Sequence, residues 1–240
     1  MKFLDNKTLD NQSDSLFQKQ EPYPWLICRN VFTEDGLTEL QKDMPSISLY
    51  TYEDGWEREG GQKPHVRYGL IYKNGLPIPK PWLDFIEELQ GVDYRNFIKR
   101  MFGVDEFDLV FYWQLARAGS SVSPHCDSVK KIGSHIFYLN NPNDWETKWG
   151  GATLVLDDSL KYKANSSPDL GDLKVVAYSE VANNSSFLFA RTDHSWHGVK
   201  ELRCPEDAYR KLFTVIVNKK PPSLLRRFLH STKNIFNGDR

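Results

Sequence analysis

The sequence is poor in cysteine and has no long apolar run. Its three cysteines, Cys28, Cys126 and Cys204, lie far apart and form no Cys-x-x-Cys pair, which argues against a disulfide framework and fits a reducing compartment. No stretch reaches the roughly 18 apolar residues that a membrane-spanning helix needs, and the polar N-terminus lacks the apolar region of a secretory signal. We therefore expect a soluble, cytoplasmic protein.

An excess of either charge is also absent. Lysine and arginine total 31 against 32 aspartates and glutamates, so the composition gives no sign of a nucleic-acid binder. Hydrophobic residues make up 40% of the chain and aromatic residues 13%, enough for a substantial core. A chain of 240 residues is expected to form one large, mainly β domain or two small domains.

The first part of the chain combines a polar segment, a strand and a helix. Residues 1–20 are polar and poor in aromatics, which predicts a flexible N-terminal segment. WLIC at 25–28 predicts a strand, and Thr33 predicts the N-cap of a helix with one apolar face. Residues 46–66 have no clear periodicity and predict a long surface loop.

Two amphipathic helices are predicted before residue 103. In two successive segments, apolar residues recur at the i, i+3, i+4, i+7 spacing of one helix face. They are Trp82, Phe85, Ile86 and Leu89, followed by Tyr94, Phe97, Ile98 and Met101. Such stripes are more often core than a cofactor-binding face, and we expect residues 33–102 to form a helical support.

From residue 108 the pattern changes to strands. The strand-like segments are β-branched and aromatic and are bounded by Gly, Pro, Asn and Asp; they are 108–117, 134–140, 152–157, 173–178, 185–191 and 212–218. Six strands without a helical pattern between them predict a double-sheet jelly roll or cupin-like barrel. The expected fold is α+β and mainly β, with a jelly-roll core over 108–218 and the N-terminal helices packed on one face. We expect one catalytic domain over 21–220.

The C-terminal tail, residues 221–240, has a different character. Pro221-Pro222 ends the last strand, and Ser223 can cap a short helix with an apolar side and several basic residues. Docking of this helix on the protein's own surface or on a dimer partner is the preferred interpretation. A membrane-surface contact through 221–237 is the alternative, because basic amphipathic helices bind anionic lipid.

Two histidine motifs in the strand-rich region are candidates for a metal site. His125-Cys126-Asp127 is a His-x-Asp that follows a strand and a Gly-Ser loop, where irregular backbone can present side chains. With six histidines in the chain, one His-x-Asp is close to a chance match. The second motif is DHSWHGV (193–199), which directly follows the apolar strand predicted at 185–191.

Two imidazoles and one carboxylate suit an open metal site. They occupy one face of an octahedron and leave three adjacent positions for a 2-oxo acid and oxygen, as non-haem iron oxygenases require. Nitrogen ligands with a hard oxygen ligand favour Fe(II), whereas a Cys-rich shell would indicate structural zinc. The residues alone leave the second histidine open between His194 and His197, and a zinc site of Asp193, His194 and His197 is a further alternative.

Arg210 is a candidate for binding a carboxylate. It opens the predicted strand RKLFTVIVN, and we expect this strand to pair beside the His197 strand. A planar guanidinium binds a carboxylate through two parallel hydrogen bonds, which lysine cannot reproduce. The distal carboxylate of 2-oxoglutarate is the expected partner.

The ordered set of motifs resembles the Fe(II)/2-oxoglutarate-dependent oxygenases, specifically the prolyl 4-hydroxylase-like branch. The matching segments are His125-x-Asp127, FYLN (137–140), WGGAT (149–153), His197-Gly-Val and Arg210, together with 23–45 and 81–103. The resemblance covers roughly residues 21–218. It implies a double-stranded β-helix with iron at one mouth, and it implies Fe(II), 2-oxoglutarate and O2 as cofactor and cosubstrates, leaving ascorbate open as an addition.

The resemblance also implies roles for individual residues. His125, Asp127 and His197 match the metal ligands, which favours His197 over His194 and leaves His194 at the rim of the site. Arg210 matches the base that binds the C5 carboxylate of 2-oxoglutarate. These four residues are the predicted iron and cosubstrate site.

Three further positions bear on the resemblance. Tyr138 matches a position where some members place a phenol on the same carboxylate, and a core tyrosine is the alternative. Many relatives carry a tyrosine just before the glycine loop, whereas this chain has LARA (115–118), which makes Tyr112 or Gln114 the expected substitute. Related halogenases have a small residue at the position of Asp127, so its presence favours hydroxylation over halogenation.

The sequence therefore predicts a 2-oxoglutarate-dependent dioxygenase that hydroxylates an unactivated C–H bond and releases succinate and CO2. A cupin-like metalloenzyme without 2-oxoglutarate and a non-catalytic binding module are the alternatives. The resemblance suggests a prolyl residue of a protein or peptide as the substrate, but the same scaffold also hydroxylates amino acids, sugars and lipids. We expect 46–66 and the insertion at 158–172 to shape the substrate mouth.

Overall fold

The computed structural model describes residues 1–54 and 65–220. Its helices are α1 (Asn6–Asp10), α2 (Asp14–Gln18), α3 (Glu34–Lys42), α4 (Lys80–Gln90) and α5 (Val92–Phe102). Its strands are β1 (Trp25–Arg29), β2 (Thr51–Glu53), β3 (Arg67–Ile71), β4 (Phe107–Ala116), β5 (Val122–His125), β6 (Lys131–Tyr138), β7 (Thr153–Asp157), β8 (Lys174–Tyr178), β9 (Ser185–Ala190), β10 (His197–Val199) and β11 (Arg210–Lys219). Within these two ranges, every helix is too short or too polar to cross a bilayer.

The strands form two antiparallel sheets. The larger sheet has seven strands in the order β1-β9-β6-β11-β4-β3-β2, and the smaller has four in the order β5-β10-β7-β8. Side chains of both sheets line one central cavity. This is a double-stranded β-helix, and it confirms the predicted mainly β jelly roll with helices on one face.

Alternation along β11 explains why helices cover only one face of the larger sheet. Leu212, Thr214 and Ile216 line the central cavity, whereas Phe213 and Val215, one residue out of phase, join the main hydrophobic core. The ring of Phe213 lies 5.1 Å from that of Trp82 in α4 and 5.5 Å from that of Phe85. The apolar stripes of α4 and α5 are fully buried on this face, which confirms the predicted helical support.

The prediction that residues 1–20 form a flexible segment is wrong. Asp5 and Ser13 cap α1 and α2, and Glu88 of α4 accepts hydrogen bonds from the backbone N–H groups of Phe3 and Leu4. The buried apolar side chains of this segment are Phe3, Leu4, Leu9 and Phe17. The polar composition concealed these four isolated side chains, which all pack into the main core.

Several strand predictions are confirmed, and others were missed. The strand at 25–28, the Thr33-capped helix and the six strand segments from 108 onwards all appear within one to three residues of their predicted bounds. The short strands β2, β3, β5 and β10 were not predicted; β2, β5 and β10 have only three or four residues, too few to establish a period-two pattern. Residues 55–64 of the predicted loop at 46–66, and the basic tail at 221–240, lie outside the described residues.

Candidate metal centre and cosubstrate site

Two short strands bring the two motif histidines together. His125 ends β5, His197 begins β10, and the two residues are direct partners in the antiparallel ladder. Their ring centroids lie 4.2 Å apart. Gly198 permits this pairing, because a Cβ at that position would lie 2.9 Å from the backbone oxygen of Val122 in β5.

Asp127 completes the cluster from the turn that follows β5. One ligand atom from each of His125, Asp127 and His197 lies within 4.8 Å of the other two, a spacing that a single metal ion can bridge. His194 is not part of the cluster, since its Nδ1 lies 3.0 Å from the carboxylate of Asp158. Asp193 instead pairs with Arg191, so the alternative zinc set of Asp193, His194 and His197 is not assembled.

The hydrogen bonds of both imidazoles leave one ring nitrogen of each free to bind a metal ion. Nδ1 of His125 lies 3.0 Å from the backbone oxygen of Ser123, and Nδ1 of His197 lies 2.9 Å from that of Ser195. A carbonyl accepts but does not donate, so Nδ1 carries the proton in each ring and Nε2 keeps its lone pair. This backbone support fixes the tautomer and ring orientation of a metal-binding histidine.

Burial and charge set the protonation states that a cation requires. Burial, together with the neighbouring His197, lowers the pKa of His125 to about 3, and burial also lowers the pKa of His197. Burial opposes ionisation of Asp127, but the charge of Lys131, with those of His197 and His125 when these rings are protonated, outweighs it and holds the pKa of Asp127 well below its ordinary value. The cluster therefore presents two neutral imidazoles and one carboxylate at neutral pH, and this donor set fits Fe(II).

Two side chains that the sequence did not single out hold the Asp127 carboxylate. Nζ of Lys131 lies 2.7 Å from Oδ1, and Oγ of Ser134 donates to Oδ2 at 3.2 Å. Both residues belong to β6, the strand that follows the turn containing Asp127. The only signal was the i, i+4 spacing of Asp127 and Lys131, which is too common to predict a contact outside a helix.

Arg210 reaches the cavity from the opposite sheet. The expectation that its strand pairs beside the His197 strand is wrong, because β11 pairs with β4 and β6, while β10 pairs with β5 and β7. Arg210 crosses between the sheets, and its Nε donates to the backbone oxygen of Gly151 at 2.5 Å. Gly151 has φ of +91°, a conformation that favours glycine, and a Cβ there would make a tight contact of 3.1 Å with Cδ of Arg210.

The guanidinium of Arg210 is buried without a carboxylate partner among the described residues. Its side-chain contacts are Gly151, Thr153 Oγ1 at 3.3 Å and the ring of Tyr138, whose centroid lies 5.7 Å from Cζ. Burial lowers the pKa of Arg210, but a guanidinium keeps its charge at neutral pH. A buried cation of this kind fits the carboxylate of a bound ligand such as 2-oxoglutarate.

Tyr138 lies beside Arg210 but is completely buried. Its hydroxyl donates to Thr153 Oγ1 at 2.8 Å and lies 2.6 Å from Ser179 Oγ. Since Thr153 also contacts Arg210, Tyr138 supports the arginine through the smaller sheet. The phenol has its hydrogen-bond partners within the protein.

The LARA stretch (115–118), where many relatives carry a tyrosine, borders a small cavity beside Arg210. Ala116 lines a small cavity together with Gln114, Arg67 and Arg210. Of the two predicted substitutes, Tyr112 donates its hydroxyl to Glu53 at 3.2 Å. The side-chain amide of Gln114 has no hydrogen-bond partner among the described residues, which makes it the better placed of the two to meet a ligand.

All four predicted site residues line the same central cavity, of about 410 Å³. His125, Asp127 and His197 are on its wall, and Arg210 lines it from the other sheet. The cavity is therefore large enough for a small dicarboxylate beside a metal ion, with space left for part of a substrate. The charged pair of Glu53 and Arg67 lines it as well, with Arg67 Nε 2.8 Å from Glu53 Oε2.

The sequence profile of the 2OG-Fe(II) oxygenase superfamily matches residues 109–218, which contain the whole cluster and Arg210. Residues 109–218, a little under half of the chain, are therefore assigned to this superfamily. The protein is accordingly a 2-oxoglutarate-dependent dioxygenase, with Fe(II), 2-oxoglutarate and O2 as cofactor and cosubstrates. No curated protein matches the chain significantly in sequence.

Solved structures of other oxygenases share the fold of this dioxygenase. A prolyl-4-hydroxylase from Pseudomonas putida is 13% identical, with a TM-score of 0.56, and the match covers 86% of this chain and 98% of that chain. A prolyl hydroxylase from Trichoplax adhaerens, in complex with a peptide fragment of the hypoxia inducible factor oxygen degradation domain, is 15% identical, with a TM-score of 0.60 and coverage of 89% and 90%. A 2OG-Fe(II) oxygenase family oxidoreductase from Burkholderia pseudomallei is 14% identical, with a TM-score of 0.55 and coverage of 87% and 92%.

Proposed function

We propose that this dioxygenase holds iron(II) through His125, Asp127 and His197 and binds the C5 carboxylate of 2-oxoglutarate through Arg210. One observation carries the proposal: the His-Asp-His cluster and a buried arginine without a carboxylate partner line the same cavity from opposite sheets. A guanidinium and a metal ion that line one cavity can bind the two carboxylate-bearing ends of a 2-oxo dicarboxylic acid.

The surrounding residues keep the proposed ligands in position. The carbonyls of Ser123 and Ser195 orient the imidazoles, and Lys131 and Ser134 orient the carboxylate of Asp127. The carbonyl of Gly151 fixes the direction in which the Arg210 guanidinium points. Such fixed geometry contributes to catalysis because reacting groups then meet without further loss of orientational freedom.

The cofactors supply the oxidation. With iron(II) and 2-oxoglutarate bound, the overall reaction is that a substrate R–H, O2 and 2-oxoglutarate give R–OH, succinate and CO2, with one oxygen atom of O2 in each of the first two products. The protein's part is to bind the reactants and to keep water out of the cavity. Apolar side chains on the cavity wall, among them Val110, Ile136 and Phe189, serve that exclusion.

The proposed substrate is a polypeptide, with a prolyl side chain as the first candidate. Support comes from the fold that the chain shares with prolyl hydroxylases, one of which was solved with a bound peptide. An open groove of about 700 Å³ beside the cluster adds support, because it offers room for chain segments on either side of the oxidised residue. Asp127 lines both the groove and the central cavity.

A substrate screen by mass spectrometry tests this proposal. Proline-containing peptides, free amino acids and oligosaccharides would each be incubated with the enzyme, iron(II), 2-oxoglutarate and air. We expect peptides alone to give a product heavier by one oxygen atom, with one succinate formed per product. A free amino acid or an oligosaccharide as the preferred substrate would overturn the polypeptide assignment and leave the dioxygenase assignment intact.

A further inference from the structure

A second cavity lies beside the metal site, along the insertion that follows β7. We call it the insertion groove, and it has a volume of about 700 Å³. One wall is the turn after β5, with Asp127 and Val129, and the other is the insertion segment 160–165. Because Asp127 also lines the central cavity, a chain lying in the groove passes directly beside the metal cluster.

The insertion wall is held in one conformation. The Asp158 side chain is almost fully buried and accepts hydrogen bonds from the backbone N–H groups of Leu160 and Tyr162, at 3.2 and 3.0 Å. The same carboxylate lies 3.0 Å from Nδ1 of His194, and the ring of Tyr162 packs edge-on against that of Trp196. The wall is therefore attached to the segment that leads into β10, which carries His197.

The backbone of this wall is strained at an exposed leucine. Ser159 and Leu160 both have positive φ, 49° and 59°, which side chains other than glycine, asparagine and aspartate rarely adopt. Leu160 is 76% exposed and belongs to none of the hydrophobic clusters of the described residues. Packing within the fold does not account for a leucine at this position. Strained backbone of this kind is concentrated at sites of function.

The groove combines apolar contacts with unpaired positive charge. Val129, 62% exposed, faces it from the turn, as Leu160 does from the insertion. The ammonium groups of Lys161 and Lys163 have no partner among the described residues, whereas the acidic groups of the groove are already paired. Asp127 is paired with Lys131, and Asp193 with Arg191. The unpaired charge in the groove is therefore positive.

We propose that the insertion groove binds an extended acidic segment of the polypeptide substrate, adjacent to the residue that is oxidised; this rests on the proposed function. Leucine and valine provide contacts for apolar side chains, and the two lysines provide contacts for aspartate or glutamate. A nucleic acid fits less well, because two unpaired lysines neutralise few phosphates and the ring of Tyr162, which lines the groove, is half-buried against Trp196.

Peptide binding to the full-length protein tests the groove without turnover. The probes are fluorescent proline-containing peptides flanked by Leu and Glu, and matched peptides with Gln in place of Glu, measured by fluorescence anisotropy with Mn(II) and 2-oxoglutarate present. We expect the Glu peptide to bind about tenfold more tightly than the Gln peptide at low salt, since two ion pairs are added. Sodium chloride should reduce this advantage.

Charge-reversal variants locate the binding. Lys161→Glu with Lys163→Glu should remove the preference for the Glu peptide. Lys174→Glu with Lys200→Glu, which makes the same change of charge at exposed lysines outside the groove, should retain it. Equal binding of the two peptides to the wild type would overturn the proposal. An equal loss of the preference for the Glu peptide in both double variants would overturn it too. Tighter binding of an RNA oligonucleotide or of anionic phospholipid vesicles through Lys161 and Lys163 would overturn it as well.

Leu160→Asn separates a role in binding from a role in folding. Asparagine adopts positive φ more readily than leucine, so the melting temperature of this variant should equal or exceed that of the wild type. Its affinity for both peptides should nevertheless fall several-fold. If the affinity of Leu160→Asn for both peptides equals that of the wild type, Leu160 does not contribute to peptide binding. Succinate formation by the wild type is measured separately. If the groove does not bind the peptide, succinate is still formed; if the proposed function is wrong, no succinate is formed.

Discussion

His125 and His197 are direct partners in the β5–β10 ladder, and their ring centroids lie 4.2 Å apart. The two histidines are 72 positions apart in the sequence, so their distance depends on the pairing of two strands of only four and three residues. Changes that disturb this short ladder should affect metal binding more strongly than folding.

Gly198→Ala tests that dependence. The added Cβ would lie 2.9 Å from the backbone oxygen of Val122, so β5 and β10 must separate and move the two histidines apart. We expect a loss of stability of about 1–3 kcal/mol, as for other overpacked sites, and at least a tenfold weaker affinity for Mn(II) by calorimetric titration. Gly171→Ala is the control, since no atom lies within 4 Å of its added Cβ. Equal metal affinity of both variants would contradict the prediction.

Lys131→Met tests how the Asp127 carboxylate is held. Lys131 is the positive charge nearest to this largely buried carboxylate, at 2.7 Å, and both side chains are less than a quarter exposed. Without metal, the variant should lose about 1–3 kcal/mol of stability, because a buried carboxylate loses a charged hydrogen bond. Mn(II) should then raise the melting temperature of the variant more than that of the wild type, since the cation replaces the lost charge. If Mn(II) raises the melting temperature of both proteins by the same amount, Lys131 does not support Asp127.

Arg210→Lys tests the cosubstrate site. Lysine keeps the charge but loses the planar fork and the hydrogen bond from Nε to Gly151. We expect the KM for 2-oxoglutarate to rise at least tenfold, from the loss of about 1.5–3 kcal/mol that a charged hydrogen bond contributes. Arg203→Lys, at an exposed position, should leave this KM unchanged. A wild-type KM in Arg210→Lys would exclude Arg210 as the carboxylate site.

His135 gives a pH dependence of stability that is separate from metal binding. It is fully buried between Tyr94 and Ser186, and burial lowers its pKa to about 3. In the unfolded chain its pKa is about 6.5, so the unfolded state binds a proton first and stability falls as the pH drops from about 6.5 towards 3. The slope should approach about 1.4 kcal/mol per pH unit for this one group.

Denaturant unfolding of the metal-free protein at pH 7, 6 and 5 measures this slope. Glutamine retains hydrogen bonding without titrating, so His135→Gln should lose stability less steeply with falling pH than the wild type. His125 and His197, whose pKa values burial also lowers, contribute equally to both proteins. The same pH slope in both proteins would contradict the assignment of a buried, neutral His135.

Much of the fold could be predicted from the sequence, because long segments carry a period. The stripes of α4 and α5 and the strands β4, β6 and β11 run for eight residues or more, and their positions agree with the prediction. The strands that carry the histidines were missed for the opposite reason, since β5 and β10 are too short to show a period. Residues 1–20 were misjudged because their few apolar side chains are spaced irregularly.

The site residues were accessible to sequence reasoning to different degrees. His-x-Asp, His-Gly-Val and Arg210 are recognisable by type and order, and the structure brings them to one cavity. Their supporting contacts were not predictable. The bonds from Lys131 and Ser134 to Asp127 depend on how the turn after β5 enters β6, and that from Arg210 to Gly151 depends on the separation of the two sheets.

Succinate formation from 2-oxoglutarate, measured with iron(II) under air for the wild type and Asp127→Ala, tests the central claim most directly. The wild type should form succinate only with added iron(II), and Asp127→Ala should form none while keeping the circular dichroism spectrum of a folded protein. Asp105→Ala, at an exposed position away from the cavity, should form succinate at the wild-type rate. Succinate formation by Asp127→Ala at the wild-type rate would contradict the assignment of His125, Asp127 and His197 as the iron site.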